Sequence, residues 1–280
     1  MPRAKAGISY VPTEKFIKAE CPQKQMAIED FLETEKGVKV HYSYDDNGKP
    51  ALVLVHGMSM DKSSWHHQLE HFKDDYSILA YDQRGQGQSS KLRGKEHYSL
   101  KKFTDDLESI TGHVGLDTFN LAGFSLGGTI SMKYAQENPS KIEKLITINS
   151  PYGMDCVRLS FFLKHAVLQK VPFAQSAMGM FLDNQPIWEY RSRTETHMKC
   201  FRDMDQQSAI DTIEALKDEK HQGIDLSNID HLLIYSSDDE IVRPNPLKNS
   251  NNIIIDGGHH YVIAQKYAEI NQIMGDFLVK

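Results

Sequence analysis

Apolar positions along the chain fall into short runs separated by turn residues, and the spacing within the runs changes from one to the next. Ala51–Val55 is continuously apolar, as expected of a strand covered on both faces. Ser77–Tyr81, His231–Ser236 and residues 118–122, 144–149 and 252–256 read as further strands. Upstream, residues 31–34 and 38–44 read as two strands joined at Lys36-Gly37, and Asp45-Asp46-Asn47-Gly48 is turn chemistry. Between these runs the apolar spacing lengthens to that of helices. Trp65, Leu69 and Phe72 share one face, with Ser63 or Ser64 as the expected cap. Phe103, Leu107, Ile110 and Val114 share another, with Asp105 and Asp106 expected in its first turn. Residues 129–136 form a third helix, and Ile263, Tyr267, Ile270, Met274 and Phe277 line the last. Strands first, then helix and strand in alternation, predict an α/β fold: a mostly parallel central sheet with helices on both faces.

The alternation stops at Ser150-Pro151. Residues 156–171, 173–182, 186–204 and 208–220 read as helices, which predicts an inserted helical cap over 151–228. The core then comprises 31–150 and 229–280, and residues 1–30 are expected to lie on the surface as an extension.

Bulk properties narrow the function. The chain has 280 residues, 40% hydrophobic and 25% charged, with a formal net charge of −6, which argues against nucleic acid as a partner. No apolar run is long enough to span a membrane. Met1-Pro2-Arg3-Ala4-Lys5 is followed by no apolar stretch, so no signal peptide is expected. Cys21, Cys156 and Cys200 are odd in number and far apart, which suggests neither a disulfide framework nor a metal site and fits a reducing, cytoplasmic setting.

The candidate chemistry centres on Gly123-Phe124-Ser125-Leu126-Gly127-Gly128, between a predicted strand and a predicted helix. That context suits a nucleophile elbow: a turn too tight for side chains two residues either side of a serine whose hydroxyl is exposed. A serine hydroxyl needs a base. His259, in Asp256-Gly257-Gly258-His259-His260, follows the last strand and so falls at the same sheet edge; His260 is expected to be structural, although the two are interchangeable on sequence alone.

Taken together, the His56-Gly57 loop, the Asp82-x-Arg84-Gly85-x-Gly87-x-Ser89 loop, the elbow, and a late Asp followed by Gly258-His259 resemble the α/β-hydrolase fold superfamily, over about residues 31 to 280 apart from the cap. The resemblance implies a cofactor-free serine hydrolase of carboxylic esters that works through an acyl-enzyme. Ser125 would be the nucleophile, His259 the base and Asp239 the orienting acid, with Asp238 as the alternative acid. Backbone N–H groups of Met58 and Leu126 would form the oxyanion hole. His56 and Arg84 would chiefly brace loops. His56, Gly57 and Phe124, with Phe162, Met180 and Trp188 of the cap, would border the pocket for a small-molecule ester with an apolar acyl group. Arg191 and Arg193 read as a solvated face, or as a grip on an anionic substrate.

Two features depart from the family pattern: Ser236 stands where glycine is common, and the segment from Asp239 to His259 is short, so that a turn or bare loop is expected at 245–249. Hydrolysis of lactones, thioesters or carbon–carbon bonds, and perhydrolysis, use the same triad; a catalytically silent binding protein is the alternative from another class. An aspartate at the elbow would have suggested dehalogenase or epoxide hydrolase chemistry, and serine argues against both.

Overall fold

A computed structural model describes residues 28–153, 156–157, 203–218, 223–244, 247 and 250–279. Its centre is an eight-stranded sheet in the order β1-β2-β4-β3-β5-β6-β7-β8. The strands are β1 (Ile28–Glu35), β2 (Val38–Asp45), β3 (Ala51–Val55), β4 (Ser77–Tyr81), β5 (Phe119–Phe124), β6 (Ile142–Ile148), β7 (His231–Ser236) and β8 (Asn252–Ile255). β1–β2 and β2–β4 pair antiparallel, and every other neighbouring pair is parallel. The described helices are α1 (His66–Phe72), α2 (Leu100–His113), α3 (Leu126–Glu137), α4 (Gln206–Asp218), α5 (Val262–Gln265) and α6 (Tyr267–Leu278).

The continuous apolar runs are explained by two cores, one on each face of the sheet. Val53, Val55 and Leu121 point to the side of α2 and α3, among Leu107, Ile110 and Met132. Their neighbours Leu52, Leu54 and Ala122 point the other way, among Trp65, Phe72 and Met274 of the α1 and α6 side. Successive strand residues face opposite sides, so a strand covered twice must be apolar throughout.

Local details differ from expectation. Asp61, rather than Ser63 or Ser64, caps the turn leading into α1, accepting the Ser63 N–H at 2.8 Å. α2 begins at Leu100 under a Ser99 cap, so Asp105 and Asp106 fall beyond its first turn; Asp106 is buried and serves Arg84 instead. The last helix is two, α5 and α6, broken at Lys266. Residues 1–27, all of 158–202 with Phe162, Met180, Trp188, Arg191 and Arg193, and the greater part of 245–249 lie outside the described residues. β6 and β7 are parallel neighbours, so the chain leaves the sheet after Ile148 and rejoins it at His231. α4 lies in this excursion and packs on the segment before α2. Arg93 Nη2 donates to Asp205 Oδ1 at 3.0 Å, the Gly94 N–H to Asp211 at 2.8 Å, and Tyr98 Oη to Ser208 Oγ at 2.9 Å. Among the described residues no helix is long and apolar enough to cross a membrane.

Candidate active site

The strand-to-helix turn at Ser125 has no room for side chains around it. A Cβ on Gly123 would lie 2.5 Å from the Gly127 carbonyl oxygen; on Gly127 it would run into the carbonyl oxygens of Val55 and His56, and on Gly128 into Ser150. Ser125 itself has φ 53° and ψ −121°, a conformation that costs a non-glycine residue of order 1–3 kcal/mol. The turn is held from the neighbouring strand, where the Ile148 carbonyl accepts the Ser125 N–H at 2.9 Å.

The side chain that meets the serine is His260. Its Nε2 lies 3.0 Å from Ser125 Oγ, and its Nδ1 lies 2.9 and 3.1 Å from the two oxygens of Asp239. Histidine and aspartate are 3% and 2% exposed, so the hydrogen-bonded pair behind the partly buried serine is shielded from solvent. Asp239 Oδ1 also accepts the Ile241 and Val242 N–H groups, each at 2.8 Å, which fixes the carboxylate. With Nδ1 donating to that carboxylate, Nε2 is left as the acceptor for the serine hydroxyl. The imidazole packs beside Phe124 at 5.2 Å between ring centroids and edge-on to Tyr261 at 5.5 Å.

The expectation for His259 therefore needs correction. Its side chain is half-exposed and turned to Glu240, with Nδ1 3.6 Å from Oε2, while its N–H donates to Gln265 Oε1 at 2.8 Å. The cause is the loop after β8. The strand ends at Ile255, Gly257 takes φ +62°, and Gly258 is pressed on Ser236, where a Cβ would sit 2.8 Å from Oγ. These turns point residue 259 outward and residue 260 toward the serine. Asp238 is exposed and hydrogen-bonded by Ser237 Oγ at 3.1 Å, so Asp239 is the member of the acidic trio that faces the imidazole.

Gly57 lies against the nucleophile: a Cβ there would be 3.2 Å from Ser125 Cβ and 2.9 Å from Phe124 Cδ1. This brings the Met58 backbone to the elbow from one side. From the other, Leu126 opens α3, and the N–H groups of a helix's first turn have no acceptor within the helix.

His56 does not border a pocket. It is fully buried, Nδ1 donates to the Gly57 carbonyl at 2.7 Å, and Nε2 accepts the Gln83 N–H at 3.0 Å. Burial pushes its pKa down, in keeping with this neutral tautomer. Gln83 also donates to the His56 carbonyl, so the 82–89 loop clasps the 56–58 loop. Phe124 is likewise fully buried, beneath His260 rather than facing a substrate. Arg84 ties the 82–89 loop to α2, with Nε and Nη2 each 2.7 Å from an Asp106 oxygen. On the α4 side, Met58 and Leu92 pack with Tyr98, Leu126, Ala215 and Leu216 in an apolar cluster. Among the described residues no group of three or more His, Cys, Asp or Glu side chains is placed to hold a metal ion.

One residue of the site escapes a motif search. Asn149, directly after β6, is fully buried, and its amide nitrogen reaches the His259 and His260 carbonyls at 3.1 and 2.9 Å. A polar residue between an apolar strand and Ser150-Pro151 was the only signal available in the sequence.

Comparison with known proteins places this geometry in context. Residues 50–272 match the alpha/beta hydrolase fold family. Mouse epoxide hydrolase 4 is 35% identical over 132 residues, which is 47% of this chain and 36% of that protein. The aligned part thus spans about a third of that relative's length. Among solved structures, the enol-lactonase from Burkholderia xenovorans superposes with a TM-score of 0.76 at 18% identity, covering 90% of this chain and 100% of that one. An esterase from Exiguobacterium antarcticum gives 0.76 at 17%, covering 90% and 100%. At these identities the structural matches establish the fold alone.

Proposed function

From the premise that the chain belongs to the alpha/beta hydrolase fold family, we propose that it is a serine hydrolase of carboxylic esters that works through an acyl-enzyme. The observation that carries this reading is His260, hydrogen-bonded at one nitrogen to Ser125 and at the other to Asp239. Ser125 Oγ attacks the ester carbonyl carbon as its proton passes to His260 Nε2, and Asp239 stabilises the imidazolium. The oxyanion is met by the N–H groups of Met58 and Leu126. The carbon–oxygen bond to the leaving alcohol then breaks, and His260 returns the proton to the alcohol oxygen. Water repeats the sequence on the acyl-enzyme: its proton goes to His260, its oxygen to the carbonyl carbon, and the proton returns to Ser125. The apolar cluster around Met58, Leu92 and Leu126 favours an apolar acyl group.

The names of some sequence relatives suggest epoxides instead, and the chemistry of residue 125 supports the ester reading. A carboxylate that opens an epoxide becomes an ester, which water can hydrolyse to regenerate the enzyme. A serine hydroxyl that did so would become an ether, which the same machinery cannot cleave. Of these two substrates, serine completes a cycle on the ester and not on the epoxide, so Ser125 favours ester hydrolysis.

Hydrolysis of p-nitrophenyl esters from acetate to palmitate, by wild type and Ser125→Ala in parallel, tests the reading. Turnover that disappears in the variant supports it, and the preferred chain length measures the acyl pocket. An Ser125→Ala protein that keeps half the activity overturns it.

A further inference from the structure

We infer that Asn149 is a positioning residue that holds His260 against Ser125; the inference rests on the triad reading above. The loop that carries His260 contains Gly257 in a left-handed conformation and Gly258, and on its outer side it is held by the Gly257 N–H on Ser237 Oγ at 2.9 Å and the His260 N–H on Glu240 Oε2 at 3.2 Å. The Asn149 amide holds the same loop from the β6 side, at the carbonyls of residues 259 and 260. Its nitrogen lies 3.1 Å from the His259 carbonyl, 2.9 Å from the His260 carbonyl and 3.0 Å from Ser236 Oγ. Two carbonyl oxygens can only accept, so the amide must present its two hydrogens to them. Its own oxygen, buried, has no hydrogen-bond partner among the described residues. Leaving a buried acceptor unmet is costly, and the amide keeps this orientation because the alternative would set three oxygens against one another.

The placement links both halves of the reacting pair to one strand end. The Ile148 carbonyl holds the Ser125 N–H at 2.9 Å, the Asn149 N–H is anchored on the Ile234 carbonyl at 2.8 Å, and the Asn149 side chain holds His260. Asn149 reaches this position with φ +46°, which asparagine tolerates better than most residues. The serine at 236, a departure from the family's usual glycine, then has a role: its hydroxyl sits between Asn149 and Gly258.

Asn149→Gly removes the amide without straining the backbone, since glycine accepts that φ. Asn149→Asp keeps the shape but replaces the donor by a carboxylate beside the His260 loop. A fluorophosphonate probe reports on the pair without knowledge of the substrate: Ser125 Oγ bonds to phosphorus, fluoride leaves, and the serine proton goes to His260. The rate of labelling is followed against pH in wild type, Ser125→Ala and both Asn149 variants, with melting temperature measured alongside. Displacing a reacting group by an ångström can cost about 100-fold, so labelling of Asn149→Gly is expected to slow about 10- to 100-fold. In Asn149→Asp at most one hydrogen is left for the two carbonyls, so labelling is expected to slow about 10-fold or more; this variant carries the test if the glycine variant does not fold. Wild-type labelling rates across the pH range in folded variants, whatever the change in melting temperature, would overturn the inference. Failure of the probe to label Ser125 in wild type would instead refute the triad reading.

Discussion

Replacing Asp106 by alanine should destabilise the protein by about 3 kcal/mol and slow turnover at a site it does not touch. Arg84 is 1% exposed, and two of its nitrogens end on Asp106 at 2.7 Å each. Without Asp106 the guanidinium stays buried with, among the described residues, the His97 carbonyl at 3.0 Å and Glu35 at 3.4 Å as remaining acceptors, and Thr34 Oγ1 loses its bond to Asp106 too. Breaking a buried ion pair from one side costs about 3–5 kcal/mol, and the surviving acceptors place this case near the lower end. In a chain of this size about 2–4 °C of melting temperature is lost per kcal/mol, giving a fall of about 6–12 °C. The double variant Arg84→Met/Asp106→Leu removes both charges and should recover most of that loss. Activity should follow the 82–89 loop, because Gln83 clasps His56 and so sets the Met58 N–H. Urea denaturation and kcat for p-nitrophenyl acetate, measured on both variants, check the account. A single variant losing less than about 1 kcal/mol, or a double variant as unstable as the single, would refute the reasoning.

Three further outcomes follow from the same geometry. Asp239→Asn should lower kcat for p-nitrophenyl acetate about 10⁴-fold: its oxygen would keep the Ile241 and Val242 N–H groups, so its amide would face His260 Nδ1 and force the proton onto Nε2, where Ser125 needs an acceptor. Gly127→Ala should cost about 3 kcal/mol or more by urea denaturation, because the new methyl meets the Val55 and His56 carbonyl oxygens and not a movable side chain. The hydrogen bond from Arg93 holds the Asp205 carboxyl at about 2, below its ordinary 3.8. A depressed carboxyl pKa stabilises the fold above the unfolded value, and that contribution fades as pH falls from about 3.8 to about 2; acid titration of Asp205→Asn should lack this component.

Much of this architecture could be read from the chain, and the misreadings share a physical origin. Strand interiors were legible because Leu52 and Val53 must each enter a different core, which leaves an unmistakable apolar run. The elbow was legible because Gly123 and Gly127 are demanded by backbone contacts that tolerate no Cβ. His259 and His260 are chemically identical, and only the rotation introduced by Gly257 and Gly258 decides which one faces Ser125. That rotation depends on Ser236, more than twenty positions away, and no periodicity encodes it. Phe124 reads as a pocket residue from its place beside the serine, whereas strand alternation turns it inward beneath the imidazole. Asn149 acts through main-chain carbonyls, so its partners have no residue type to search for.

The central claim, that Ser125 is activated by His260, is tested most directly by comparing His259→Ala with His260→Ala for acylation by p-nitrophenyl acetate, using mass spectrometry of the acetylated peptide and the release of p-nitrophenol. The account predicts that His260→Ala loses acylation about 10²–10⁴-fold, the contribution of a positioned general base, while His259→Ala stays within about threefold of wild type. Loss of acylation in His259→Ala with His260→Ala still active would contradict it.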